Sequence, residues 1–156
     1  MMRTISSKWR GESATIQIAM TVLVALHLAA NAWHAVAHTA LSIALPPEKT
    51  AFVVIVILIA PLVAAWLIWT RYVLTGVWMM VLSMLGALLF GAYHHYVMVS
   101  PDNIGHLPYG SADAQSTFIA SAAALALLEL ASALCGAFYL GTLLRPSATS
   151  YITRNT

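Results

Sequence analysis

Residues 16–45 read IQIAMTVLVALHLAANAWHAVAHTALSIAL, and this stretch decides the fold class of the chain. It contains no Asp, Glu, Lys or Arg, and it ends at Pro46-Pro47. A helix that crosses a membrane needs about 20 mostly apolar residues, and proline commonly stands just beyond the end of a helix. The stretch therefore predicts a membrane-spanning helix.

Three further stretches of the chain meet the same criterion. They are residues 51–69, 73–99 and 117–144, and a turn-rich outer loop, residues 100–116, precedes the last of them. Pro61 falls inside the second stretch and predicts a kink there. Only 8% of the 156 residues are charged, whereas a soluble domain carries about 25%. We expect residues 1–156 to form one all-α transmembrane domain that has lipid as its solvent.

The positions of Lys and Arg predict how the helices are oriented, because these residues are retained on the cytoplasmic side. Six of the seven lie at the ends predicted to be inside: Arg3, Lys8, Arg10, Arg71, Arg145 and Arg154. Both termini are therefore expected in the cytoplasm. Short connections make successive helices antiparallel neighbours, so the predicted architecture is an up-down four-helix bundle in the plasma membrane of a prokaryote.

Composition and small residues indicate which partners to expect. A net charge of +2 without a basic stripe argues against nucleic-acid binding. Small residues spaced four apart, Ala87 with Gly91 and Ser132 with Gly136, favour close packing of helices within the bundle or between protomers. Besides the lipid bilayer, we expect a homo-oligomer or a larger membrane complex. A non-catalytic accessory subunit of such a complex is one candidate function.

A polar stripe marks one face of the first helix. His27, Asn31, His34 and His38 are spaced four, three and four residues apart, which places them within an arc of roughly 60°. Polar and ionisable groups in a membrane usually face the interior of a bundle, where they can pair. The stripe is therefore expected to point inward.

A second set of histidines is predicted at the depth of His34 and His38. His94 and His95 lie near the outer end of the third helix, and His106 lies in the outer loop. Two histidines four residues apart can hold one ion, and imidazole suits zinc, copper and iron. The alternative cofactor is haem b, held between histidines of the first and third helices. The leading hypothesis is a transition-metal or haem site in the outer half of the bundle, used for electron transfer or metal handling.

Glu129 lies near the middle of the fourth helix, level with His27 and Asn31. A carboxyl group at this depth normally pairs with another polar group or holds its proton. These three residues predict a proton-handling layer that supports the cofactor site. They also allow a second hypothesis, a proton-linked transporter or channel.

A structural interpretation competes with these functional ones, because histidines can simply hydrogen-bond one helix to another. The chain contains no G-x-S-x-G and no glycine-rich phosphate loop, which are typical of hydrolases and nucleotide-binding enzymes. The sequence therefore names no enzymatic reaction, and its functional hypotheses rest on the histidines.

Overall fold

The computed structural model describes residues 2–145, with side chains from residue 13 onward, and this part of the chain is helical without strands. Four helices follow one another: α1 Met2–Ala40, α2 Pro47–Leu67, α3 Val73–Val97 and α4 Ala112–Leu143. Each contains a segment long and apolar enough to cross a membrane, which confirms the prediction of four such helices. Arg154 lies outside the described residues, as do the side chains of Arg3, Lys8 and Arg10.

Helix α1 ends at Ala40 rather than at the predicted residue 45. Ser42 has a left-handed backbone with a φ of 53°, and the Ile43 amide donates to the carbonyl of His38 at 2.9 Å. This is a Schellman-type helix end. Leu41 and Ile43 then fold back and are buried with Phe118 of α4. Their apolar character predicted a longer helix, whereas in the structure it anchors the loop.

Helix α4 begins at Ala112, earlier than the predicted residue 117. Ser111 caps the helix, since its hydroxyl oxygen accepts from the Ala114 amide at 3.1 Å. Such a cap satisfies one of the free amides of the first turn and lets the helix extend beyond its apolar part. The loop between α3 and α4 is therefore shorter than predicted and comprises residues 98–111.

Two helices contain π-helical segments, in which an amide donates to the carbonyl five residues earlier. One is Val53–Ile59 in α2, where the Ala60 amide donates to Ile55. Pro61, which has no amide hydrogen to donate, follows at once. The distortion predicted at Pro61 thus takes the form of a π-helical segment. The other segment, Tyr93–Val97, ends α3.

The helices pack unevenly around the bundle. Helix α4 packs along both α1 and α3, and α3 packs on α2. Helix α1 meets α2 mainly at the end of the bundle that holds residues 68–72, which we term the short-loop end. There Gln17 donates to the Ile68 carbonyl at 2.7 Å, and Trp69 donates to the Thr21 hydroxyl at 3.0 Å. Toward the opposite, long-loop end, which holds residues 41–46 and 98–111, α1 and α2 make few contacts with each other.

The short-loop half of the bundle is filled with apolar side chains. Its buried core contains Met20, Val24, Ala64, Ile68, Val77, Met80, Met84, Ala133, Tyr139 and Leu140. Helices α2 and α3 approach closely at Gly76, where an added Cβ would lie 2.8 Å from the Ile68 nitrogen and 3.0 Å from the Ala64 oxygen. Because these neighbours are backbone atoms, they cannot move aside as a flexible side chain would.

We expect Gly76→Ala to lower the thermal unfolding temperature of the purified protein by several degrees, because overpacking of a tight contact costs about 1–3 kcal/mol. The matched control is Gly141→Ala, since a Cβ on Gly141 would meet no described atom within 4 Å. Circular dichroism melts in detergent measure both. Equal melting temperatures for the two variants would contradict the close α2–α3 contact.

Candidate metal centre

The polar stripe of α1 faces the interior of the bundle. His27 and His34 are buried, with 0% and 8% of their surface exposed, and Asn31 and His38 are partly buried. The intervening Trp33 is exposed on the other face of the helix. The spacing of the stripe therefore translates directly into an inward row of polar groups.

Three imidazoles and one carboxylate meet at the long-loop end of the bundle. His34 and His38 come from α1, His95 from α3, and Asp102 from the loop that follows. The ring of His34 lies 4.7 Å from that of His38 and 4.9 Å from that of His95, centroid to centroid. His34, His95 and Asp102 each offer one ligand atom, and these three atoms lie within 4.8 Å of one another. We call His34, His38, His95 and Asp102 the polar cluster.

Helix α4 fixes the orientation of the His34 ring. His34 Nδ1 lies 2.8 Å from the Ser121 hydroxyl oxygen. The hydroxyl hydrogen is taken, because Ser121 donates to the backbone carbonyl of Thr117 at 2.7 Å. In that arrangement the oxygen accepts from His34 Nδ1, and a neutral His34 then has its lone pair on Nε2.

The end of α1 fixes the His38 ring in the same way. His38 Nδ1 lies 3.3 Å from the Ile43 carbonyl oxygen, which can only accept. A neutral His38 that donates here has its lone pair on Nε2, whereas a protonated His38 donates from both ring nitrogens. This Nε2 lies 3.2 Å from His34 Nε2 and 3.1 Å from Asp102 Oδ1.

The loop after α3 folds back over the helix end and buries Asp102. The Ile104 amide donates to the His95 carbonyl at 3.0 Å, and the Asn103 side chain donates to the Met98 carbonyl at 3.0 Å. His95 Nδ1 in turn donates to the backbone carbonyl of Asp102 at 2.9 Å. These bonds hold the Asp102 side chain, only 5% exposed, against the histidines.

Asp102 is a buried carboxylate that keeps its charge. Burial by itself raises the pKa of Asp102, but hydrogen-bond and charge interactions with the imidazoles of His38 and His95 outweigh this effect and hold the pKa well below its usual range. Its Oδ1 lies 3.1 Å from His38 Nε2 and 3.4 Å from His95 Nδ1, but neither ring directs a well-aligned N–H toward it. A buried acceptor without a donor normally costs about 1–3 kcal/mol, so this atom requires an explanation.

The polar cluster therefore brings three nitrogen and oxygen atoms together: His38 Nε2 lies 3.2 Å from His34 Nε2 and 3.1 Å from Asp102 Oδ1. Lone pairs that face one another at about 3 Å repel unless a cation lies between them. The cation is either a proton on one imidazole or a metal ion. Chemically, the arrangement is a site for a small positive ion.

The two remaining predicted ligands lie apart from the polar cluster. His94 contacts the Lys49 amine at 3.4 Å and the Phe90 ring at 4.4 Å between centroids. His106 is exposed in the loop, with its Nδ1 3.3 Å from the Asn103 side-chain oxygen. Of the adjacent pair on α3, only His95 faces the site, as expected for neighbours that project about 100° apart.

The predicted proton-handling layer lies deeper in the bundle. His27 Nε2 is 3.3 Å from Glu129 Oε1, and the Asn31 amide nitrogen is 3.1 Å from the same His27 nitrogen. Glu129 is buried, and His27 Nδ1 has no hydrogen-bond partner among the described side chains and backbone. The structure thus brings all three residues of the layer into contact.

Sequence reasoning missed Asp102, because it treated the carboxylates outside the spans as loop residues. The available signal was the turn sequence Pro101-Asp102-Asn103 directly after the third helix, at the same end of the bundle as His95. An aspartate in a turn that follows a histidine-bearing helix end lies close enough to return to that helix.

The chain matches no known protein family, no curated protein and no solved structure.

We expect Ser121→Ala to destabilise the protein by about 1–3 kcal/mol, because it leaves the buried Nδ1–H of His34 without an acceptor. Ser83→Ala is the matched control: Ser83 is also buried, but its hydroxyl donates only to the Met80 carbonyl of its own helix. Chemical denaturation in detergent micelles measures both variants. If the free energy of unfolding falls no more in Ser121→Ala than in Ser83→Ala, the hydrogen bond assigned between His34 and Ser121 is wrong.

Proposed function

We propose that this chain is a multi-pass protein of a prokaryotic plasma membrane, with both termini in the cytoplasm and the polar cluster in the outer half of the bilayer. The four apolar helices support the first part. The orientation is supported by Arg71 and Arg145, which lie at the short-loop end together with the basic N-terminal sequence.

This topology predicts which positions are accessible in intact cells. In a Cys135→Ala background, Tyr109→Cys in the exposed long loop should react with a membrane-impermeant maleimide added outside. Arg71→Cys should react only after the membrane is permeabilised. Labelling of Arg71→Cys alone in intact cells would reverse the proposed orientation.

We further propose that the polar cluster binds one divalent first-row transition metal ion, with His34, His95 and Asp102 as ligands and His38 at the edge of the site. The observation that carries this proposal is the convergence of three buried side chains, His34, His95 and Asp102, each of which offers one ligand atom within 4.8 Å of the other two. Ligands about 2.0–2.1 Å from a tetrahedral ion lie roughly 3.3 Å from one another. Small rotations of the three side chains would bring their ligand atoms to that spacing.

The donor set favours some metals over others. Imidazole nitrogen with a carboxylate oxygen and without thiolate suits Zn²⁺ and Fe²⁺, whereas Cu⁺ prefers sulfur. Zinc is the first candidate, because imidazole nitrogens and a carboxylate oxygen are its usual ligands in sites with three protein ligands.

A metal ion fits the polar cluster better than haem b does. In a haem with two axial histidines, the porphyrin lies between the two imidazoles and keeps them apart. Here the rings of His34 and His38 contact each other, as do those of His34 and His95. A porphyrin would have to displace these contacts.

The packed short-loop half of the bundle supports metal binding over proton-linked transport. Below His27 and Glu129, the described interior consists mostly of apolar side chains such as Met20 and Met80, and the buried Ser83 and Ser132 each donate to a carbonyl of their own helix. An ion or proton pathway needs polar groups or water along its length. The polar groups instead form a site at one end of the bundle.

Metal analysis tests the proposal. The protein purified in mild detergent without chelator should contain about one zinc or iron ion per chain. Loss of a group that only supports a ligand weakens metal binding by up to about 100-fold. Loss of a ligand itself, in His34→Ala or Asp102→Asn, should therefore weaken binding by more than that. His106→Ala is the control, because it removes a histidine from the exposed loop without touching the cluster.

The competing interpretation of the polar cluster is a protonated histidine paired with Asp102. It predicts that the wild-type protein contains no stoichiometric metal and that a chelator leaves its melting temperature unchanged. That result, in protein that is folded and taken directly from the membrane, would overturn the proposal.

A further inference from the structure

A cavity of about 320 Å³ adjoins the polar cluster inside the bundle. The cluster lies at one end, and Asn31 and Glu129 lie at the other. The walls between the two ends are mostly apolar and include Ile57 of α2, Phe90 of α3 and Leu125 of α4. Small-molecule sites in proteins have this character: a volume of roughly 300–1,000 Å³, apolar walls and a few convergent polar groups.

Small residues leave this space open. Ala35, Ala87, Gly91, Ala122 and Ala126 all line the cavity. At Gly91, an added Cβ would lie 3.8 Å from the His95 ring and 3.9 Å from Glu129 Oε2. Glycine at this position therefore stands between the cluster and the deeper carboxyl group, and its missing side chain keeps the two ends of the cavity connected.

One side of the cavity lies between α1 and α2. Ala35 and Thr39 line it on the α1 side and are exposed, while Val53 and Ile57 line it on the α2 side. Toward the short-loop end it stops at the packed apolar core. In a bilayer, the opening between α1 and α2 faces the hydrocarbon region, so a molecule dissolved in the membrane reaches the cavity from the side.

We propose that this cavity, in a protein that holds a metal in the polar cluster, binds a small neutral organic molecule that enters from the membrane between α1 and α2. A nitrogen or oxygen of the molecule would coordinate the metal, and its apolar body would extend toward Asn31 and Glu129. This inference rests on the proposed metal site and adds the chemical class of its ligand.

Size and polarity favour an organic ligand over water or a second ion. The volume equals that of roughly ten water molecules, but the mostly apolar walls offer too few hydrogen-bond partners to hold ten waters. Along α1, Asn31 and His38 are seven residues apart, a rise of roughly 10 Å, which suits a molecule with one aromatic or short aliphatic unit beyond its metal-binding group. A metal with three protein ligands keeps a coordination position open for such a molecule.

Cobalt-loaded protein tests the inference with a defined probe. Co²⁺ replaces zinc with a visible spectrum that reports its coordination, and 4-phenylimidazole is a neutral molecule with one metal-binding nitrogen and an apolar ring. Titration of the Co²⁺ protein with this probe should shift the visible bands with saturation. In Ala126→Leu, where the larger side chain fills the cavity, the apparent affinity should fall by about tenfold or more.

The matched control is Ala123→Leu, on the same helix but exposed on its outer face. Its affinity for the probe should remain within about twofold of the wild type, since surface changes away from a site have small effects. Co²⁺ uptake by each variant shows that the polar cluster is intact. If Ala126→Leu does not take up Co²⁺, Gly91→Ala replaces it, because its methyl group makes only ordinary contacts.

The outcomes separate the two proposals. Failure of the wild-type protein to take up Co²⁺ or Zn²⁺ overturns the metal site and the ligand together. Uptake without a spectral response to 4-phenylimidazole, or an equal response in the cavity-filling variant, overturns only the ligand site. A saturable shift that the cavity-filling variant weakens and Ala123→Leu preserves supports both.

Discussion

The buried carboxylate of Asp102 ties together the long-loop end of the bundle. It lies against His38 of α1 and His95 of α3, while its own backbone carbonyl accepts the His95 hydrogen bond. Through His34 and Ser121 the same group of contacts reaches α4. A charge buried in an apolar bundle persists only when it is paired with opposite charge or coordinated. The loop conformation, the end of α1 and the turn that closes α3 together place these partners around the Asp102 carboxylate.

The bundle is built differently at its two ends. The short-loop half is held by apolar packing and by close backbone contacts at Gly76. The long-loop half has a cavity and depends on hydrogen bonds among polar groups. Regions with few buried apolar contacts open at lower free energy than a packed core, so the half that carries the polar cluster is also the half best able to admit and release a ligand.

Much of this architecture follows from the sequence, and the exceptions have physical causes. The apolar runs located the four helices, and the spacing from His27 to His38 gave the inward stripe. Apolarity did not reveal that Leu41 and Ile43 leave the helix, because a buried loop and a buried helix have the same composition. Asp102 was not predicted as a site residue, because its position depends on how a long loop folds back. That fold is set by hydrogen bonds between the loop and the end of α3. The choice between His94 and His95 depends on the helical register at the end of α3, which the sequence pattern does not specify.

The π-helical segment at the end of α3 has an evolutionary consequence. A π-helical turn holds one more residue than an α-helical turn over the same length, so the segment Tyr93–Val97 is equivalent to an α-helix with a single-residue insertion. The segment absorbs this extra residue, so deleting one codon within it would restore α-helical geometry while the chain that follows would leave the helix in nearly the same direction. The loop that carries Asp102 would then still return over the end of α3. A gene for this fold can therefore gain or lose one residue here, provided that His95 itself is kept, without displacing the buried carboxylate.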